Sequence, residues 1–144
     1  MLMGLAVGLR ATVRHVVTEA DTAIEAGSGD VPVLATPRML ALAEAACVAA
    51  LESHLDAGMT SVGTAVALEH RRASPVGTEL EVEAELTDLA GRKLVFGFIV
   101  RHRPPAGGAA GGPEDEDLVA GAGTVERIVV DRAEFLARVG AAAR

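Results

Sequence analysis

Glu44 stands within "MLALAEAACVAAL" (39–51), a run in which it is the one charged residue. An ionised carboxylate in a dry interior is costly, so it finds a partner or takes up a proton as its pKa rises. Both outcomes suit a general base or a nucleophile near neutral pH. A solvated stripe, or a pairing with an arginine, would explain the same residue structurally. Two further side chains could share the chemistry. Thr36 stands just before the apolar run, where its hydroxyl also suits a helix cap. His70 ends a stretch whose alternation places Val62, Thr64, Val66 and Leu68 on its face. A histidine there serves either as a hydrogen-bonded rim residue or as an acid–base group. Taken singly, each of the three has a structural account.

These residues need elements to hold them. Thr36 followed by Pro37 predicts a helix start, because proline lacks an N–H that the first turn would leave unpaired. The helix should run to about Leu55 and stop before Gly58. Being apolar on nearly every side, it must be enclosed by protein. "GLRATVRHVV" (8–17) reads as a first strand, and 18–35, mixing acids, Gly and Pro, as a loop. Residues 61–77 form a second strand, ended by Ser74-Pro75 and Gly77. In "TELEVEAELTDL" (78–89), Leu80, Val82, Ala84 and Leu86 alternate with Glu79, Glu81, Glu83 and Glu85. One face is therefore buried and the other wet, which favours an antiparallel sheet. The glutamates read as a solvated face rather than an acidic binding surface. "AGRK" (90–93) turns the chain into a strand at 94–103. "PPAGGAAGGPEDED" (104–117) is read as a hairpin loop, not a domain linker, because a strand must pair on each side. Residues 118–130 supply the fifth strand, and 131–139 a short helix capped by Asp131. The expected class is α+β: one domain, 1–144, with an antiparallel sheet wrapped around one long buried helix.

Composition excludes several functions. A net charge of −7 opposes broad binding to a phosphate backbone, and the absence of Trp and Tyr removes base-stacking platforms. Nucleic acid is not an expected partner. A lone cysteine, Cys47, rules out an internal disulfide and points to a reduced, cytoplasmic setting. Cys47 itself reads as a small core residue. His15, His54, His70 and His102 lack ligand spacing, so no metal is expected. "MLMGLAVGLR" is too short to span a bilayer and has no basic residue ahead of it, so neither membrane nor secretion is indicated. "GAGTVER" (121–127) superficially matches a dinucleotide fingerprint. It stays strand-like through Val130 instead of opening a helix, so its small residues are read as letting a helix pack close.

Several short motifs follow one another in order. They are Thr36 before the long helix, Glu44 with "AC" two residues on, "S-x-G-T" (61–64), "H-x-x-A-S-P-x-G" (70–77) and "G-T-x-E-R" (123–127). Together they resemble the fluoroacetyl-CoA thioesterase-like family, a branch of the hotdog-fold acyl-CoA thioesterases. The resemblance runs from about Val13 to Val139, with 104–116 as an insertion. It implies catalytic roles for Thr36, Glu44 and His70. It further implies that Gly63 lets a thioester approach the backbone and that Arg127 helps fix the site. The substrate would be an acyl-CoA, coenzyme A being part of it and no separate cofactor being required. Arg71 and Arg72 beside His70, with Arg101 and Arg103, would meet the coenzyme's phosphates, or else serve as strand-end solubility charges. There are departures. Val125 stands in "GTVER" where a member of the family carries His, and Pro37 stiffens the turn after Thr36. No aromatic residue occurs in 18–35, so no aromatic lid and no fluoroacetate specificity is implied.

Spacing adds a constraint. Eight helical residues rise about 12 Å and turn about 80° beyond whole turns, so Thr36 and Glu44 on one helix could not share a substrate atom. Either Thr36 lies outside the helix and folds back, or the two groups come from different subunits. Hotdog proteins resemble one another in forming dimers with interfacial sites, so a homodimer with composite sites is expected. Gly63 and His70, seven apart, face opposite ways on a regular strand unless a bulge intervenes or Gly63 acts through its backbone. The alternative function is a non-catalytic hotdog module that binds acyl-CoA or a related ligand. A dehydratase lacks the closely spaced Asp–His pair it would need. The acyl chain itself is not legible.

Overall fold

The structure, a computed structural model, describes residues 4–103 and 118–142. The hairpin loop expected at 104–116 lies outside the described residues. Five antiparallel strands form one sheet: β1 (Arg10–Val16), β2 (Met59–His70), β3 (Glu79–Ala90), β4 (Lys93–His102) and β5 (Val119–Asp131), in the order β1-β3-β4-β5-β2. The segment expected to be loop contains a single 3₁₀ turn (Glu19–Asp21) and a one-turn helix α1 (Ala23–Ala26). The long helix α2 spans Thr36–Leu51, and α3 spans Arg132–Ala142. Asp131 caps α3, its Oδ1 accepting the Glu134 N–H at 2.9 Å. Among the described residues no helix is long and apolar enough to cross a membrane.

The alternation in β3 resolves as its residues require. Leu80, Val82, Ala84 and Leu86 are fully buried, while Arg10 and Arg14 of β1 pair with Glu85 and Glu81 on the opposite face. Phe96, Val100, Val125 and Val129 extend the apolar face across β4 and β5, and Met39, Ala43, Ala46 and Cys47 of α2 close onto it. Gly121 permits that closure, since a Cβ there would lie 2.5 Å from Met39 Sδ. The helix lies chiefly over β1 and β3, so enclosure is one-sided. Pro37, Ala41, Ala45 and Val48 form an exposed stripe, although burying such a stripe is what stabilises it.

Strand β2 is a sheet edge, and it carries a bulge. Gly63 pairs with Arg127 and Ala65 with Glu126, leaving Thr64 as the extra residue. The Thr64 hydroxyl donates to Glu126 Oε2 at 2.7 Å, which fixes the bulge. One added residue exchanges the two faces of everything beyond it. Gly63 and His70 therefore share the face toward α2, with Val66 and Leu68 between them. Val62 and Thr64, expected on that face from uninterrupted alternation, are not on it. Pairing tracks this: Val66 lies opposite the buried Val125, and His70 opposite Gly121.

Candidate active site

The bulged strand and the start of α2 bring together two residues distant in sequence. Thr36 Oγ1 lies 2.7 Å from His70 Nδ1. The expected capping role for Thr36 is not what the structure contains. Ala35 is the N-cap, in extended conformation and with no side-chain cap bond, and Thr36 is the first helical residue. Its hydroxyl is thus free for the imidazole. Contact at Nδ1 fixes the ring's orientation and leaves Nε2 for another group.

Glu44 has its own partners. Its Oε2 accepts from Arg127 Nη1 at 3.1 Å, and the same guanidinium donates through Nε to Ser61 Oγ at 2.8 Å and through Nη2 to the Ser61 carbonyl at 3.0 Å. Arg127 is almost fully buried, whereas 36% of the Glu44 side chain is exposed in the isolated chain. The carboxylate is therefore neutralised by charge pairing rather than sealed in hydrocarbon. Gly63 is indispensable to this arrangement: a Cβ there would stand 2.7 Å from Glu44 Oε2 and 3.6 Å from Arg127 Nη1. Cys47 lies in the field of both charges. Burial pushes its thiol up to about 12, with Glu44 raising it and Arg127 opposing, so it is an inert core residue.

Within one chain the two groups stand apart. Thr36 begins the helix that carries Glu44, so the fold-back alternative fails and about 12 Å of helix separates them. Gly63 and His70 are likewise about 20 Å apart along β2. Among the described residues no hydrogen bond joins Thr36–His70 to Glu44–Arg127. A cavity of about 400 Å³ opens beside Thr36 and His70, with Leu34, Asp30, Arg71 and Arg72 in its walls. The backbone N–H groups of Arg71 and Arg72 both donate to the Ala120 carbonyl, and Arg101 pairs nearby with Val119, so these residues gather at one end of the sheet. Arg71 is held by Glu69 Oε1 at 2.9 and 3.1 Å, whereas Arg72 makes no ion pair among the described residues. Among those residues no His, Cys, Asp and Glu cluster suited to a metal occurs. Sequence reading did not single out Ser61, although the serine of "S-x-G-T" two residues before Gly63 was visible.

The model of the family described as fluoroacetyl-CoA-specific thioesterase matches residues 17–106, the stretch containing Thr36, Glu44, Gly63 and His70. The chain belongs to this family. A fluoroacetyl-CoA thioesterase of Streptantibioticus cattleyicolor is 35% identical over 128 residues, covering 89% of this chain and 80% of that protein. Among solved structures, a variant of the fluoroacetyl-CoA thioesterase FlK in complex with acetyl-CoA is 29% identical, with a TM-score of 0.82, covering 97% of this chain and 100% of that one. A hotdog-like protein of Thermanaerovibrio acidaminovorans, at 20% identity and TM-score 0.77 over 96% of this chain and 91% of that one, is similar in fold. The fold of this thioesterase-family chain is the hotdog, a helix held against an antiparallel sheet, as its motif order implied.

Proposed function

We propose that this thioesterase-family protein hydrolyses an acyl-CoA thioester at a site assembled from two copies of the chain. The observation that carries the reading is the bond between the Thr36 hydroxyl and His70 Nδ1 at 2.7 Å, which leaves Nε2 to meet the sulfur. Glu44, oriented by Arg127, either draws a proton from water or attacks the carbonyl. Backbone N–H groups near Gly63 face the developing oxyanion. The overall change is thioester plus water to carboxylic acid plus thiol. When the C–S bond breaks, the thiolate takes its proton from His70, which is restored by the proton removed from water. If Glu44 attacks the carbonyl itself, that water instead cleaves the resulting mixed anhydride and frees the carboxylate.

A second copy supplies what one chain keeps apart. The free edge of β2 and the apolar stripe of α2 are features that a partner would cover. Antiparallel pairing of two β2 edges about Val66, itself 48% exposed, would bring His70 alongside the stretch just before Gly63 of the partner subunit. Thr36 and His70 would then face Glu44 and Arg127 across the interface. Arg72 is the cation best placed for a coenzyme phosphate, Arg71 having first to leave Glu69. Raised salt should therefore raise KM.

The test is complementation. A panel of acyl-CoAs is screened for thiol release, and Glu44→Gln and His70→Ala are each expected to lose about 10²-fold or more. Mixing the two inactive variants should restore about a quarter of wild-type activity, since half the dimers are mixed and each holds one intact site. No restoration after verified subunit exchange would overturn the composite site. Ligand binding without thiol release from any substrate would replace hydrolysis by a binding module.

A further inference from the structure

Asp21 lies in the segment between β1 and α2 and has been given no chemical role above, yet its side chain is almost wholly buried. Oδ2 accepts from the Thr18 N–H at 2.8 Å and the Thr18 hydroxyl at 3.1 Å, and lies 2.7 Å from His15 Nε2. Oδ1 accepts from Arg38 Nε at 2.7 Å, and the Asp21 carbonyl accepts the Ala35 N–H at 2.8 Å. These two links grip the chain on either side of Thr36, one residue before it and two after. Three more bonds hold the same stretch. Ala23 N–H donates to the Val33 carbonyl at 2.8 Å, Leu34 N–H donates to the Ser74 carbonyl at 2.9 Å, and the Ser74 hydroxyl lies 2.7 Å from His102 Nε2.

We propose that Asp21 is a positioning residue for Thr36: through Arg38 and the Ala35 N–H it sets the first turn of α2 so that the hydroxyl meets His70 Nδ1. Ala35 offers no side-chain cap, so this turn lacks the side-chain bond that usually fixes a helix start. Asp21 supplies the missing restraint from outside the helix. Its carboxylate suits the task because one oxygen takes Arg38 while the other takes Thr18 and His15, so rotation would break both sets. The link is indirect: Asp21 has no hydrogen bond to Thr36 or His70 and acts by where it places the former.

The inference rests on the thioesterase reading for its kinetic test but not for its spectroscopic one. Asp21→Ala should lower kcat about 10- to 100-fold with KM little changed, the effect of a catalytic group displaced by an ångström or less. In a Thr36→Ala background the same substitution should change kcat less than about twofold, because the group it positions is gone. The ¹⁵N resonances of the His70 imidazole should move in Asp21→Ala as they move in Thr36→Ala, and Asp21→Asn, which keeps an acceptor for Arg38, should restore them in part. Arg38→Ala gives the same comparison should Asp21→Ala fail to fold. Equal losses in both backgrounds, or His70 resonances unmoved in a folded Asp21 or Arg38 variant, would overturn the proposal. Absence of thiol release from the wild type would refute only the thioesterase reading, since the imidazole resonances report the Thr36–His70 contact in either case.

Discussion

Replacing Gly63 by alanine adds one methyl group to β2 at the point where it meets the Glu44 carboxylate. The new carbon would start 2.7 Å from Oε2, well inside contact distance. Backbone φ at Gly63 is not in the left-handed region, so the substitution carries no conformational strain of its own. The obstacle is the end of a flexible side chain that is partly exposed, so Glu44 can swing aside. Doing so forfeits its bond to Arg127 Nη1, a charge-assisted contact of about 1.5–3 kcal/mol. Arg127 keeps both Ser61 acceptors and solvent reaches the released carboxylate, so the net loss should fall near the lower figure, a few degrees in Tm. On the proposed mechanism the rate should suffer far more, about 10²-fold in kcat/KM, because the displaced group is the one assigned to the chemistry. Gly97→Ala is the control: a Cβ there meets only Thr87 Cγ2 at 3.6 Å, an ordinary contact. Thiol release and thermal melts on both variants decide the matter. Wild-type kcat/KM in a folded Gly63→Ala protein would refute the placement of Glu44 in the chemistry.

Arg127→Lys should lower kcat/KM by about 10- to 100-fold in the thiol-release assay, because one ammonium cannot serve Ser61 Oγ, the Ser61 carbonyl and Glu44 together. Cys47, buried and with its thiol pushed up to about 12, should stay unreactive toward an aromatic disulfide at pH 8 and react fully once the chain is denatured. Burial, and then the Arg72 charge, hold the His102 pKa below its ordinary value. The unfolded chain therefore binds more protons than the folded one as pH falls through about 6.5, and stability declines there. Melting temperatures at pH 7.5 and 5.5 should show this drop in the wild type and a smaller one in His102→Gln. Asp21 behaves alike at lower pH: burial alone would raise its pKa, but Arg38, Thr18 and His15 hold it well below the carboxylate range. Its stabilisation is complete above about pH 5 and fades as the solution is acidified further, a slope that Asp21→Asn should flatten in acid-unfolding curves.

Much of this molecule could be read from its residues because periodicity and burial are tightly linked. The strict alternation of 78–89 demanded a half-buried strand, and the apolar run after Pro37 demanded a helix against it. Motif order singled out Thr36, Glu44, Gly63, His70 and Arg127, and the structure brings them together as two groups, Thr36 with His70 and Glu44 with Arg127 beside Gly63. What could not be read depends on local backbone geometry. The bulge at Thr64 is one residue's departure from regular pairing, fixed by a bond to Glu126 across the sheet, and alternation alone mistook Val62 and Thr64 for neighbours of His70. The cap shifted by one residue for a similar reason, because Ala35 is held by Asp21 rather than by its own side chain. From sequence, Glu44 reads as enclosed in hydrocarbon, on a solvated stripe or paired with an arginine. Spacing alone could not choose between them, because its partner, Arg127, stands 83 positions away in the chain.

The odd residue at Thr64 also sets a rule for anyone who edits this strand. Keeping the stretch from Gly63 to His70 at its present length while losing the bulge would slip the register by one and turn the imidazole outward, away from Thr36. Deleting Thr64 itself would absorb the bulge and leave His70 on its face. Grafts from related proteins must therefore match the length of this stretch to whether the bulge is kept, and an inactive chimera with a perfect melting curve would be the signature of a mismatch.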